Sequence, residues 1–301
     1  MHDVIIVGGG PAGLTAALYA LRAGKKVLII EKNGFGGQMT FSPKIENYPG
    51  FESVSGSELA DKMVEQVLSQ GADVTVEEVV RIEDLPVGTK NIVTDAGRYE
   101  AKAVVLATGA KHRLLGVPGE TKFVGDGISF CAVCDGAFYD GKDVIVVGGG
   151  NSALQEALLL SETSKSVTVV QNLDDFTGEK KLVELLMAKQ NVIVHFGKTV
   201  KEFIGDDTLS GMVVCDKDGN EETLLSDGVF IAIGLAPEND AFGDLVDLNR
   251  GYIEADTNGA TKTAGIFSAG DCRVKNIRQI ATAISDGAIA ALAACEYIDR
   301  M

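Results

Sequence analysis

Tryptophan is absent from the 301 residues, and histidine (3), cysteine (5) and proline (6) are scarce. Five cysteines, an odd number, make no disulfide framework of the kind that staples small secreted domains. With a single C-x-x-C and three scattered histidines (His2, His112, His195), no four-ligand metal set is complete, so no metal site is expected. Positive charge is in short supply: 27 Lys and Arg against 43 Asp and Glu leave a net charge of −16. A polyanion is repelled by phosphate backbones and anionic headgroups, which excludes general nucleic-acid binding and argues against a membrane surface. No run of about 18 apolar residues occurs, so no membrane span is expected. The chain enters an apolar strand directly after Met1-His2-Asp3, without the basic start and cleavage site of a secretory signal, so a cytoplasmic protein is expected.

What is present is ordinary for a globular chain of about two domains: 46% hydrophobic and 23% charged residues, with 36 glycines. The chain also contains a repeat. Asp3-Val-Ile-Ile-Val-Gly-Gly-Gly-Pro-Ala-Gly-Leu opens it, and Asp143-Val-Ile-Val-Val-Gly-Gly-Gly-Asn-Ser-Ala-Leu returns later. A weaker pair, Ala103-Val-Val-Leu-Ala-Thr-Gly and Gly228-Val-Phe-Ile-Ala-Ile-Gly, closes each half. Two copies of one α/β unit account for this.

In the first half, strands are expected at Val4–Val7 and Lys26–Ile30, with a helix between them to about Ala23. Ser55-Gly-Ser-Glu58 reads as a capping box opening a helix to about Gln70. Short strands fill Val74–Glu100, and Ala103–Ala107 closes the unit. The second half mirrors this order through Ile233, and a long alanine-rich helix is expected over Ile277–Tyr297. Joints at Lys111–Leu114 and Pro237–Asn239 divide the chain into 1–112 with 240–301, and an inserted 113–239.

Gly8-x-Gly10-x-x-Gly13 sits between a strand and a helix, and Glu31 ends the next strand at the spacing of an acid on a ribose hydroxyl. The first glycine makes the turn, the second admits a pyrophosphate and the third lets helix and strand approach. The helix N-terminus then stabilises the phosphate charge. In the second turn, Gly148-x-Gly150-x-x-Ala153, the following strand runs into Gln171-Asn172-Leu173. It offers neither an acid for the ribose of NADH nor an arginine for the 2′-phosphate of NADPH. A pyrophosphate cradle and a retained fold without ligand both remain open there.

Cys131-Ala-Val-Cys134-Asp135 precedes the second turn. At a helix start the dipole lowers a thiol pKa, and an adjacent carboxylate can move the proton that dithiol chemistry needs. Half of a zinc site is the competing reading, and no partner ligands complete it.

Together, the two glycine turns, Cys131-x-x-Cys134-Asp135 between them and Gly270-Asp271 near the C-terminus resemble the low-molecular-weight thioredoxin reductases over essentially the whole chain. The resemblance implies an α/β protein of two Rossmann-like dinucleotide-binding domains of the three-layer ββα type, the second inserted into the first. It implies non-covalent FAD in the discontinuous domain, NADPH in the inserted one, a thioredoxin-like partner and a homodimer. Gly8, Gly10, Gly13 and Glu31 match the ADP end of the FAD site. Gly36-Gly37-Gln38, Asn47 and Thr108-Gly109-Ala110 match segments around the flavin. Asp271 matches the acid at the ribityl–pyrophosphate region, and Arg278, Gln279 and Ile280 match residues beside the isoalloxazine. Cys134 corresponds to the cysteine nearest the flavin, Cys131 to the one that attacks the protein disulfide and Asp135 to the acid–base residue.

One segment departs from the family. Where the pattern is H-R-R-x-x-F-R, this chain has Gln171-Asn-Leu-Asp-Asp-Phe176-Thr177. Each lost charge-assisted bond costs about 1.5–3 kcal/mol. Several such losses weaken NADPH binding by at least about 10³-fold, since each 1.4 kcal/mol is tenfold. The NADPH site thus reads as degraded. The expectation is a thioredoxin reductase fed by ferredoxin, as in members of the family that lack the arginines. A conventional NAD(P)H-dependent reductase and a non-catalytic flavin redox sensor are the alternatives. An acidic ferredoxin calls for a local basic patch, for which Lys111, His112, Arg113, Arg273, Lys275 and Arg278 are the candidates.

Overall fold

The structure, a computed structural model, describes every residue except Pro43 and Val87. Val87 falls in the stretch expected to hold short strands and lies outside the described residues. The chain folds as two compact units, Met1–Lys111 with Ala236–Met301, and His112–Leu235.

The first unit begins β1 (His2–Val7), α1 (Pro11–Arg22), β2 (Val27–Glu31), α2 (Gly56–Ser69), β3 (Asp73–Val76), β4 (Val79–Asp84), β5 (Lys90–Thr94) and β6 (Arg98–Leu106). Its sheet runs β3-β2-β1-β6-β5-β4, and the late strand Ile266–Ser268 also pairs with β6. β1, β2, β3, β6 and Ile266–Ser268 are parallel, whereas β4–β5–β6 is an antiparallel ribbon. β6 is nine residues long and meets three partners: Arg98–Ala101 pair with β5, Ala101–Leu106 with β1, and Val104–Leu106 with Ile266–Ser268.

β1 and β2 are apolar at nearly every position because both faces of the sheet are covered. Val4, Ile6, Val27, Ile29, Ala103 and Val105 meet α1 and the C-terminal helix Ile280–Asp299. Ile5, Val7, Leu28, Ile30, Val104 and Leu106 meet Ile82 and Ile92 of the ribbon. The layers are therefore β-ribbon, sheet and helices. Each buried branched side chain contributes about 1.5–3 kcal/mol.

Gly287 of the C-terminal helix sits so close to α1 that a Cβ there would lie 2.2 Å from the Ala12 carbonyl. By length and mean hydropathy alone this helix is apolar enough to cross a membrane, but Thr282, Ser285, Asp286 and Glu296 interrupt it, so it is not an unbroken apolar run. In the structure its Ala283, Gly287, Ala290, Ala291 and Ala294 are buried in the first unit's core.

The second unit repeats the plan. Parallel strands lie in the order Val192–His195, Ser166–Val170, Asp143–Val147, Gly228–Ile231, Ile128–Ser129. Val144, Val146, Val167 and Val169 face the helices Asn151–Leu160 and Lys180–Met187. Ile145, Val147, Val229 and Ile231 face an antiparallel layer, Thr199–Gly205, Leu209–Cys215 and Glu221–Leu225. This is the inserted second Rossmann-like domain that the repeat implied.

Candidate active site

The three glycines of the first turn differ in what surrounds them. Gly8 has φ +110°, and a Cβ there would lie 2.2 Å from the Ala107 carbonyl. A Cβ on Gly13 would lie 1.9 Å from the Gly8 carbonyl, so this glycine seats α1 on the turn. A Cβ on Gly10 would meet only Gly37 Cα, at 4.0 Å. Two glycines thus serve the fold, and the middle one leaves open space against Gly37. Glu31 accepts the Gly9 N–H at 2.7 Å and the Asn33 N–H at 3.0 Å, which fixes the carboxylate beside the turn.

The other first-unit candidates are drawn from distant parts of the chain. Gln38 and Asn47 are exposed, and Asn47 Nδ2 donates to Gln279 Oε1 at 3.2 Å. Ile280 packs with Met39, Ile45 and Leu59. Gly109 has φ +70° and open space around it. Thr108 donates to the side-chain oxygen of Asn239 at 2.7 Å. Asn239 is fully buried and donates in turn to the carbonyls of Gly251 and Cys272. That ties the Thr108–Gly109 turn to the Gly270–Cys272 turn, a clamp with no local sequence signal. Asp271 Oδ1 is buried without a hydrogen-bond partner. Burial pushes its carboxyl up, while Lys275 and Arg278 hold it back. Arg278 donates to the Asp271 carbonyl at 3.2 Å and lies over the Tyr252 ring at 4.2 Å.

In the second unit, Cys131 and Cys134 form a disulfide with Cα atoms 5.3 Å apart. Cys131 caps the short helix Ala132–Asp135, and the Cys134 N–H points at Cys131 Sγ, 3.2 Å away. Ser129, which the sequence did not single out, joins the parts. Its hydroxyl donates to Asp135 Oδ2 at 2.6 Å and accepts the Cys131 N–H at 3.1 Å. Asp135 Oδ1 is buried with no partner. Burial raises the Asp135 pKa, and the Ser129 hydrogen bond opposes the rise.

The second glycine turn is lined by its own loop. A Cβ on Gly149 would lie 2.2 Å from the Gln171 side-chain amide, and Gln171 is itself buried. The Thr177 N–H and hydroxyl both donate to the Gly149 carbonyl, at 2.9 and 3.3 Å. Asp174 is held by Lys217 Nζ at 2.5 and 2.6 Å.

A family model described as pyridine nucleotide-disulphide oxidoreductase matches residues 2–287. The chain belongs to this family. It is 42% identical over 310 residues to the thioredoxin reductase of Bacillus subtilis, covering 100% of this chain and 96% of that one. It is 42% identical over 300 residues to a 34.2 kDa protein in a rubredoxin operon of Clostridium pasteurianum, covering 98% and 97%. The crystal structure of thioredoxin reductase from Streptococcus pyogenes superposes with a TM-score of 0.96 at 42% identity, covering 100% and 99%. The chain is accordingly an oxidoreductase acting on disulfides. Membership of this family implies FAD. The first unit fits a dinucleotide, with an open middle glycine, an anchored Glu31 and an orphaned buried oxygen on Asp271.

The structure corrects one expectation of the sequence. The candidate basic patch is largely spent on internal contacts. Lys111 pairs with Glu238 at 3.0 Å, and Lys275 and Arg273 pair with Asp286 at 2.8 and 3.6 Å. His112 is half-buried and stacks on Phe130 at 4.8 Å, and burial lowers its pKa to about 4, so it is neutral at pH 7.

Proposed function

We propose that this chain is a flavin-dependent reductase of thioredoxin-like proteins. The observation that carries the reading is the Cys131–Cys134 disulfide, joined through Ser129 to a buried carboxyl with one free oxygen. Relatives named thioredoxin reductase supply the partner class. Gly8, Gly10, Gly13, Glu31 and Asp271 would hold the FAD, and Gly37, Gln38, Asn47, Thr108, Gly109, Arg278, Gln279 and Ile280 are the candidates to surround its flavin. When bound, FAD supplies a carrier that accepts electrons and passes them to a disulfide.

In the reduced pair, Cys131 is the attacking sulfur, and the Cys134 N–H facing its Sγ favours the thiolate. The Cys131 thiolate attacks one sulfur of the partner's disulfide, forming a mixed disulfide and releasing the other sulfur as a thiolate. Asp135, whose pKa burial raises, passes on the proton that this leaving thiolate takes up. Cys134 then gives up its proton and attacks the Cys131 sulfur; the Cys131–Cys134 bond re-forms, the bond to the partner breaks, and the partner's second sulfur takes that proton, leaving it a dithiol. A homodimer and a cytoplasmic location belong to the same proposal.

For the electron donor, the reading is reduced ferredoxin rather than NADPH. The Gln171 side chain lies against the Gly149 Cα and Thr177 donates to the Gly149 carbonyl; Asn172, Leu173 and Thr177 occupy the arginine positions of the family pattern, with Asp174 and Asp175 beside them to repel a 2′-phosphate. NADH is the second reading, favoured by Gly150, where the nearest atom to an added Cβ is Thr177 Oγ1 at 3.9 Å. Anaerobic stopped-flow mixing decides among them. Ferredoxin should bleach the flavin rapidly. Bleaching by micromolar NADPH at turnover rates of about 1–10³ s⁻¹ refutes the donor reading, and fast bleaching by NADH alone selects the second.

A further inference from the structure

A second carboxyl, half-buried, lies on the helix packed against the turn that carries the redox disulfide. Glu156 lies on the helix Asn151–Leu160, which packs against the short helix Ala132–Asp135. Its Oε2 is buried with no hydrogen-bond partner. The backbone at Ala132, the residue that follows Cys131, lies towards its carboxylate and opposes the rise that burial gives its pKa. Asp135 stands at the other end of the same four-residue turn, with an orphaned oxygen of its own. Two carboxyls therefore bracket the cysteine pair.

We propose that Glu156 is a positioning residue of the redox centre that exchanges its negative charge with Cys131 when the disulfide opens. This deepens the reading of Cys131–Cys134 as the redox centre and rests on it. Reduction by an external dithiol gives the full balance. The dithiol's two electrons break the Cys131–Cys134 bond, and the reagent closes its own disulfide. One of its two protons goes to the Cys134 sulfur and the other to the Glu156 carboxylate, while Cys131 stays a thiolate. The net charge of the pocket is unchanged, because one anion is exchanged for another.

The physical ground is that a buried pocket disfavours two neighbouring anions. Burial pushes the Glu156 carboxyl up to about 7, so it gains or loses a proton at little cost near neutral pH. No other residue of the Glu156 helix is charged. From the packed neighbours come Asp135 and Tyr139, both raised by burial, and Asp227, whose charge acts on Tyr139. Lys142 lies over the Tyr139 ring at 5.4 Å. Lys180, Lys181 and Glu184 of the adjoining helix are exposed, and Asp143 is paired with Lys165.

The test uses the full-length flavoprotein with Cys134→Ser, so that Cys131 is the thiol followed. The rate of its alkylation by iodoacetamide is measured from pH 5 to 10. With Glu156 intact the profile should show two steps, because carboxyl and thiol share a proton. Glu156→Gln should leave one step, its midpoint lower by about half a unit to one unit. Superposable profiles overturn the proposal. Infrared difference spectra of the wild type, dithiothreitol-reduced minus oxidised, probe the same proton without that variant. Reduction should add one buried carboxylic-acid band, and the band should persist in Asp135→Asn. No new band, or one lost with Asp135, refutes the role of Glu156. A disulfide that dithiothreitol does not reduce at all refutes the redox-centre reading instead.

Discussion

Acid should weaken the second unit through one imidazole. His112 is half-buried against Phe130, and burial lowers its pKa from 6.5 to about 4. A folded-state pKa below the unfolded value means that the neutral form is favoured by folding. The stability this group contributes is fully present above pH 6.5 and is lost as pH falls towards 4. At ~1.36 kcal/mol per unit, the whole shift has a ceiling of about 3.4 kcal/mol. Integrating the two titrations, about 2 kcal/mol is already gone at pH 5. His112→Phe keeps a ring on Phe130 and removes the proton. The measurement is urea unfolding of both proteins at pH 7.5 and pH 5, following the transition of the His112–Leu235 unit. Asp135 and Glu156, whose raised pKa values act in the opposite direction, are common to both proteins and cancel in the comparison. The wild type should lose about 2 kcal/mol more than the variant between the two pH values. Equal losses would show that His112 titrates as a solvent-exposed group.

Two further substitutions separate ligand space from fold. Gly10→Leu should yield a folded, colourless protein that takes up no FAD, whereas Gly13→Ala, with a Cβ 1.9 Å from the Gly8 carbonyl, should lose fold and colour together; circular dichroism beside the visible spectrum distinguishes them, and a yellow Gly10→Leu protein sinks the cradle assignment. Cys131→Ser should leave flavin reduction intact and abolish thioredoxin reduction, and Cys134→Ser should disconnect flavin from disulfide. Full insulin-coupled thioredoxin reduction by both variants would contradict the assignment.

The fold was legible wherever a local pattern carries it. Glycines at Gly8, Gly13 and Gly148 mark turns because a Cβ there meets backbone, and the continuous apolar run of β1 marks a strand covered on both faces. The Ser55–Glu58 cap appears as expected, with the Glu58 N–H donating to Ser55 Oγ at 3.1 Å. The C-terminal helix starts later than its composition suggests, at Ile280. Gln279 and Thr282 form a reciprocal cap there, which hydrophobicity alone does not reveal. Ser129, Asn239 and Glu156 escaped notice for a common reason. Each gains its meaning from a partner placed by the tertiary fold, as when Asn239 meets Thr108 from the far side of the inserted unit. The pairing of Lys111, Arg273 and Lys275 with acids was hidden in the same way, so the basic patch looked available in sequence when its charge is locally answered.

The insertion of one unit within the other inverts the order of folding relative to the order of synthesis. Met1–Lys111, made before the inserted unit, lacks the strand Ile266–Ser268 that pairs with β6 and the helix Ile280–Asp299 that covers α1. Until those arrive, the apolar side of α1 and one edge of β6 have no mates. His112–Leu235 is contiguous and holds its complete sheet, so it can close while the rest of the chain is still being made. The N-terminal half is therefore the part most exposed to holdase chaperones and to premature termination. A truncation between Leu235 and Ile266 leaves a finished domain tethered to an unfinished one.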